Sequence, residues 1–320
     1  MAQGQPGFRA RTGLIGIALV GHLVGCPATW GATFYVAPRG ADAEGCSAAA
    51  PCATVRRVSE LVAAGDTVVA LAGPEADDWV AGLLRAPDLA SGRYAGLLVE
   101  EARDRRDVRG FVRLATTWAT ELEPVFPSAA QAIPNLVDAV NRQTRLAASV
   151  GEHLFVGSPE FFRSPFVYLT AATAFVLTEP ETRALGRYLR EGGFVLADNA
   201  LSMFEHSQAE ASLRQVFRAA LGSSGQLRRI PDNHPLYHSF YDFDGPPPGL
   251  EEAVQSYALE GIFLQDRLVA VFADQGYVHS WAQAYGNEAQ LRFGVNAVVF
   301  ALTQPGSVAR QVRLLIRRPG

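Results

Sequence analysis

"FVYLTAATAFVLTEPETRALGRYLREGGFVLADN", from Phe166 to Asn199, sets two short apolar runs on either side of one amphipathic segment. "FVYLTAA" (166–172) and "FVLADN" (194–199) are apolar at nearly every position, the pattern of strands buried on both faces of a parallel sheet. Between them Thr178 precedes Glu181 by three residues and Pro180 falls in the first turn. That spacing predicts a capping box and a helix, which Gly192 and Gly193 stop. Strand, helix and strand in this order call for a parallel pair.

The same alternation continues on both sides. "GFVRLATTW" (110–118) and "HLFVG" (153–157) read as strands around a helix, "IPNLVDAVNRQT", which starts near Pro134 and carries Leu136, Val137 and Val140 on one face. Downstream come an amphipathic helix, "QAEASLRQVFRAALG", a strand, "RLVAVFAD", and a long helix with a broad apolar face, "EAQLRFGVNAVVFALT". The expectation is an α/β domain over 110–303, a mostly parallel sheet covered on both faces. Upstream, "TFYVAP", "ATVRRVSELVAAG" and "DTVVALAG" read as a small β-α-β segment over 33–73, with Val55, Val58, Leu61 and Val62 on one helical face. Residues 74–109 read as a charged connector, because "EEARDRRDVR" mixes both signs as a solvated helix face or linker does. Residues 304–320 read as a basic tail.

At 320 residues with 48% hydrophobic and 19% charged, the chain can bury a sizeable core. Its net charge of -4 is spread out, so it has no electrostatic footprint for nucleic acid. All 28 basic residues are arginine, which points to base composition and carries no mechanism.

Arg9 and Arg11 precede "TGLIGIALVGHLVG", a run of signal-peptide length and too short to span a bilayer. Residues 1–32 are therefore expected to direct export. The run ends in "LVGC", which resembles a bacterial lipoprotein box with Cys26 as the lipidated residue, and ordinary cleavage near Ala28 or Gly31 stays open beside it. No later stretch is long and apolar enough for a membrane helix, so any membrane attachment is expected through the N-terminal lipid alone. In an oxidising compartment Cys46 and Cys52 of "CSAAAPC" are expected to form a disulfide.

Two family resemblances follow. Tyr35, Val36, Pro38, Gly40, Asp42, Pro51, Thr54 and Gly65 to Val68 are similar to the opening coil of pectate-lyase-type parallel β-helix proteins, over about forty residues and with no later repeats. That opening would offer an unpaired strand edge to a partner. The blocks "SPEFFRSPFVYLT", "EGGFVLADN", "HPLYHSFYDF", "LEGIFLQDRLVAVFAD" and "RFGVNAVVFALT" resemble, in order, the bacterial domain of unknown function 4159. This resemblance implies a flavodoxin-like sandwich related to the class I glutamine amidotransferase fold, in exported or membrane-associated proteins, with no reaction established. Relatives tend to read Gly-His-Gly after the "YLT" strand, where this chain has Ala171-Ala172-Thr173.

In an open α/β sheet, ligands sit outside the carboxyl ends of the strands. Thr170, Thr173, Asp198, Asn199, His234 and Trp281 are the residues expected there. Asp198, ending a buried strand, must find donors to offset desolvation, as a helix cap or as a base. "PDNHPLYHSFYDFDGPPPG" (231–249) sets His234 and His238 four apart, but Pro235 disfavours the helix that would put both on one face. A loop presenting His234, Asp232 and Asp242 to a cation and a structural loop are both open readings, and no cofactor is implied. No cysteine follows Cys52, which excludes a cysteine-dependent amidotransferase. The functional expectation is a non-catalytic binding or assembly module of the envelope, with an unidentified envelope ligand or protein as partner. The competing expectation is a hydrolase or metal-dependent enzyme acting on envelope carbohydrate or peptide through Asp198, His234 and His238.

Overall fold

"FVYLT" and "FVLADN" pair as expected. In the computed structural model, Val167–Ala171 and Val195–Asn199 are parallel neighbours with Thr170 opposite Asp198 and Ala171 opposite Asn199. The helix between them, Glu179–Arg190, is capped by Thr178, whose side chain accepts from the Glu181 amide while the Glu181 carboxylate accepts from the Thr178 amide. The double glycine after it has a steric cause. A Cβ on Gly192, at φ +112°, would meet the Gly306 carbonyl at 2.2 Å, and one on Gly193 would enter the Tyr188 ring at 2.3 Å.

The structure describes residues 32–316 except 38, 43–44, 55–56, 59–60, 62–66, 73–95, 102–103, 123–126, 203, 205 and 250–257. Residues 1–31, with Cys26 and most of the expected export signal, lie outside it, as do 317–320. In chain order the strands are β1 (Thr33–Val36), β2 (Thr67–Ala72), β3 (Gly96–Glu101), β4 (Asp104–Leu114), β5 (Thr117–Trp118), β6 (Arg145–Val150), β7 (Leu154–Phe155), β8 (Val167–Ala171), β9 (Val195–Asn199), β10 (Arg228–Arg229), β11 (Glu260–Leu264), β12 (Arg267–Ala273) and β13 (Arg310–Ile316). The α-helices are α1 (Ala132–Gln143), α2 (Pro159–Arg163), α3 (Glu179–Arg190), α4 (Gln208–Leu221), α5 (Tyr277–Ala282) and α6 (Glu288–Thr303).

The result is a mixed α/β structure with parallel-rich sheets. One sheet runs β1-β2-β13-β3-β4-β6, a second runs β10-β11-β12-β9-β8, and β5 pairs with β7. They meet along one long strand path. β4 and β5 are nearly continuous, β6 and β7 follow on one side, and an isolated parallel bridge, Thr116 to Tyr168, joins the other side to β8. Across that bridge the parallel order is β6/β7, β4/β5, β8, β9, β12.

Alternation along the strands divides the core. Tyr168, Leu196 and Val271 face a cluster with α1, α5 and α6, while Val167, Leu169, Val195, Ala197 and Phe272 face one with α3 and α4. The broad apolar face of α6 has its reason here, since 12 of its residues are buried.

Several expectations change. Residues 104–109, read as the end of a charged connector, open β4, and β3 runs antiparallel beside it, so the described residues of the "EEARDRRDVR" run lie in paired strands. Alternation explains the strand: Val108 and Val112 are buried while Asp104 and Arg105 face solvent. Residues 310–316, expected in a basic tail, form β13 between β2 and β3. The sheet expected over 110–303 is joined at its middle only by the Thr116–Tyr168 bridge, and its first part also takes in β1, β2 and β13 from both ends of the chain. β6, α2 and the 3-10 turn Pro127–Gln131 had no sequence reading: α2 and the turn have five residues each, too few to show a helical period, and "RLAASV" of β6 is neither an apolar run nor a clean alternation.

The edge of β1 is not open to a partner strand. The Cys46–Cys52 disulfide holds its loop against it. The Tyr35 amide donates to the Cys46 carbonyl at 2.6 Å, and the Tyr35 carbonyl accepts from the Cys52 amide at 2.8 Å. At the opposite edge, the Asn141 side chain brackets Ala148 of β6, accepting from its amide at 2.7 Å and donating to its carbonyl at 3.0 Å. Both edges are thereby blunted against edge-to-edge pairing.

Candidate functional site

Asp198 sits at the carboxyl end of β9 with 0% exposure. Its Oδ2 accepts from the Tyr168 hydroxyl at 2.7 Å and from the Val278 amide at 2.9 Å. The second bond is a long-range helix cap. Gly276, which precedes α5, has no side chain to offer, and Asp198 takes the amide of the first turn instead. Burial, which opposes the charged form, pushes Asp198 up to about 7 against the hydrogen bonds from Tyr168 and Val278. Burial and the neighbouring Asp198 carboxylate also raise the Tyr168 phenol.

Asn199, one residue on, points to the other face of the sheet. It donates to Asp274 at 2.6 Å and accepts from the Leu201 amide at 3.0 Å and the Ser207 hydroxyl at 3.2 Å. Ser207 in turn caps α4. Burial raises the Asp274 carboxyl. Asn199 therefore joins three loop ends.

Glu181 does more than its sequence pattern implies. Beyond the capping box, its Oε1 accepts from the Thr120 amide at 2.7 Å and the Thr120 hydroxyl at 2.9 Å. Burial alone would raise its carboxyl, but the hydrogen bonds from Thr178 and Thr120 hold it below its ordinary value. The tie joins the loop after β5 to the start of α3, two segments flanking the step in strand order between β5 and β8.

The histidine loop lies elsewhere. His234 caps the 3-10 turn Pro235–Tyr237 by accepting the Leu236 amide on Nδ1 at 3.1 Å. Its ring packs edge-on against Phe263 and Phe300, and burial lowers its pKa. Phe300 packs on Phe194, which precedes β9, so His234 belongs to the amino end of the strands and Asp198 to the carboxyl end. His238 reaches the Asp242 carboxylate at 3.1 Å and the Asp232 carbonyl at 3.2 Å. Asp242 also takes Arg105 at 2.6 Å and Arg106 at 3.3 Å, and the hydrogen bonds from Arg105 and His238 drop it to about 2. Beneath the loop, buried Asn296 accepts from the Tyr241 amide at 2.7 Å and donates to the Leu236 and Tyr241 carbonyls. Asp242 and His238 thus tie the loop to itself and to β4, and Asn296 ties it to α6.

Of the other expected residues, Trp281 is fully buried, its indole donating to the Gln290 carbonyl at 2.9 Å, and Thr173 is exposed in the loop after β8. Thr170 is next to Asp198 and 9% exposed. The structure thus brings Thr170 and Asp198 together, and leaves His234 and His238 apart from them. Among the described residues, no group of three or more histidine, cysteine or acidic side chains could hold a metal ion. Sequence reasoning missed Tyr168, Val278, Thr120 and Asn296. Only Asn296, a polar residue inside an otherwise apolar helical face, carried a signal of its own.

A family model described as a domain of unknown function (DUF4159) matches residues 111–302, more than half of the 320-residue chain. No curated protein matches it.

Proposed function

This chain belongs to the DUF4159 family, and on that premise we propose that it is an exported protein of the bacterial envelope, periplasmic or lipid-anchored at Cys26, acting as a non-catalytic binding or assembly module. The scaffold we infer is a flavodoxin-like three-layer sandwich of the glutamine amidotransferase type. The parallel order β6, β4/β5, β8, β9, β12 supports it, because numbered along the chain it reads 2-1-3-4-5. The resemblance of residues 33–73 to a β-helix opening is supported by the parallel pairing of β1 with β2 from Thr33 opposite Thr67.

The observation that carries the non-catalytic reading is the engagement of Asp198. Its Oδ2 holds both Tyr168 and Val278, and His234 and His238, the residues expected to act with it, lie apart from it, His234 at the opposite end of the strands. Two measurements test the reading. Purified protein is expected to carry no stoichiometric zinc or manganese and to turn over no glycoside, ester or peptide substrate. Turnover abolished by Asp198→Asn in a folded protein, or metal lost from His234→Ala, would establish the enzyme instead. For export, residues 1–32 fused to alkaline phosphatase are expected to give an active enzyme outside the cytoplasm, and labelled palmitate is expected to be lost with Cys26→Ala. An inactive fusion overturns export, and an unlabelled wild type overturns lipidation.

A further inference from the structure

The registers of five strands line up one transverse row across the carboxyl end of the sheet. Phe155 on β7 is opposite Trp118 on β5. The Thr116–Tyr168 bridge puts Trp118, two residues on, beside Thr170 on β8. Thr170 is opposite Asp198, and Asp198 is opposite Ala273 on β12. Residues two apart share a face, so Trp118, Thr170 and Asp198 point the same way as Thr116 and Tyr168.

Three successive positions in this row each carry a buried polar atom without a well-formed hydrogen bond: Trp118 Nε1, Thr170 Oγ1 and Asp198 Oδ1, the last with the Tyr277 amide near enough to lower its carboxyl. Thr170 Oγ1 is near enough to the Tyr168 phenol to temper its rise, yet makes no well-formed bond to it. Thr117, Tyr237 and Ser280 carry such atoms too, but Trp118, Thr170 and Asp198 stand in line, each at a cost of about 1–3 kcal/mol while unpartnered. Exposure falls along the row from 53% at Phe155 to 9% at Thr170 and 0% at Asp198. At the open end, the Trp118 ring lies 4.6 Å from His153 and 6.2 Å from Phe155, tilted by 53° and 44°.

We propose that the row from Phe155 to Asp198 is a binding site for a neutral, hydroxyl-rich small molecule of the sugar or polyol class, a reading that rests on the binding-module function above. The chemistry of the row selects that class. An indole N–H donates, a hydroxyl does both, and a carboxyl oxygen accepts, which suits ligand groups that donate and accept in turn, as vicinal hydroxyls do. A carboxyl group at the inner end disfavours anions, and no arginine stands in the row to reverse that. Burial opposes the charged form of Asp198 and so weakens its hold on a cation. The tilted rings at the mouth offer apolar faces to the C–H side of a sugar ring.

Isothermal titration of the full chain with glucose, N-acetylglucosamine, glycerol and ethanolamine tests this. The expected result is saturable heat with one of the first three. The affinity should weaken about fivefold to tenfold in Thr170→Val and in Trp118→Phe, each of which deletes one hydrogen bond, while Thr170→Ser restores it. No saturable heat from wild type, wild-type affinity in both variants, or a preference for ethanolamine overturns the assignment. Mass spectrometry of the probes after incubation separates the two readings. A product would sink the non-catalytic function and leave the site standing, whereas neither heat nor product sinks the site alone.

Discussion

Asp198 and Asp242 are the same residue type in opposite situations. Asp198 is fully buried among uncharged donors and rises to about 7, while Asp242, exposed and gripped by Arg105, Arg106 and His238, falls to about 2. Both hold parts of the fold together. The difference is what each would do to stability when the pH changes: burial opposes the charge of one, and ion pairs and hydrogen bonds favour the charge of the other. Glu181 lies between them, partly buried and met by four donors.

The largest expected effect separates the two aspartates by pH. Asp198 has its folded pKa raised above the ordinary 3.8 to about 7. Its stability contribution is therefore full below pH 4 and lost as the pH rises through 7, a swing on the order of 4 kcal/mol. Denaturant unfolding of wild type and Asp198→Asn, whose neutral amide resembles the protonated carboxyl, should give curves that lie together at low pH and part as the pH rises through 7. Parallel curves would mean that Asp198 is not the titrating group.

Removing the carboxyl outright comes next. Asp198→Ala leaves the Tyr168 hydroxyl and the Val278 amide buried without an acceptor and is expected to destabilise by about 3 kcal/mol at neutral pH. Thermal melts with hydrogen exchange at Val278 check it, and an unchanged amide would break the link to α5.

A smaller effect is expected at Glu181. Glu181→Ala removes a capping-box partner and the tie to Thr120, for a loss of about 1 kcal/mol. Thr120→Ala should recover only part of that loss, and a double-mutant cycle showing no coupling would mean that the tie is incidental.

The smallest belongs to Asp242. Its pKa is depressed, so its contribution is present above the ordinary carboxylate range and lost only as the pH falls through about 2. Asp242→Asn at neutral pH is expected to leave the melting curve within replicate scatter, because exposed ion pairs contribute little. A clear loss would show that the histidine loop carries more of the fold than its exposure implies.

Much of the scaffold was readable because its signals are local. The α3 capping box needs only Thr178 and Glu181, three residues apart, and both halves of it form. The apolar runs of β8, β9 and β12 and the period of α1, α4 and α6 read correctly for the same reason. The failures share a cause as well. β13 is apolar enough to be a strand, but its partners β2 and β3 are far away in sequence, and nothing nearby distinguishes it from a tail. The "EEARDRRDVR" run hid the start of β4, because charge spacing dominates such a stretch until its partner strand is known. His234 and His238 drew attention by their spacing, yet Pro235 had already removed the geometry that would make the spacing matter.

The amino-acid sequence alone settled that strands and helices alternate through most of this chain, where several helices begin and end, and that an aspartate stands at the end of a buried strand. Those features depend on hydrophobic period and on caps that act over three or four residues. Only the tertiary structure decided which face Asp198 takes, that its one oxygen serves Tyr168 and Val278, and that its other oxygen joins Thr170 and Trp118 in a row. Such facts come from register and from pairings between distant residues, and those are fixed only when the whole sheet closes.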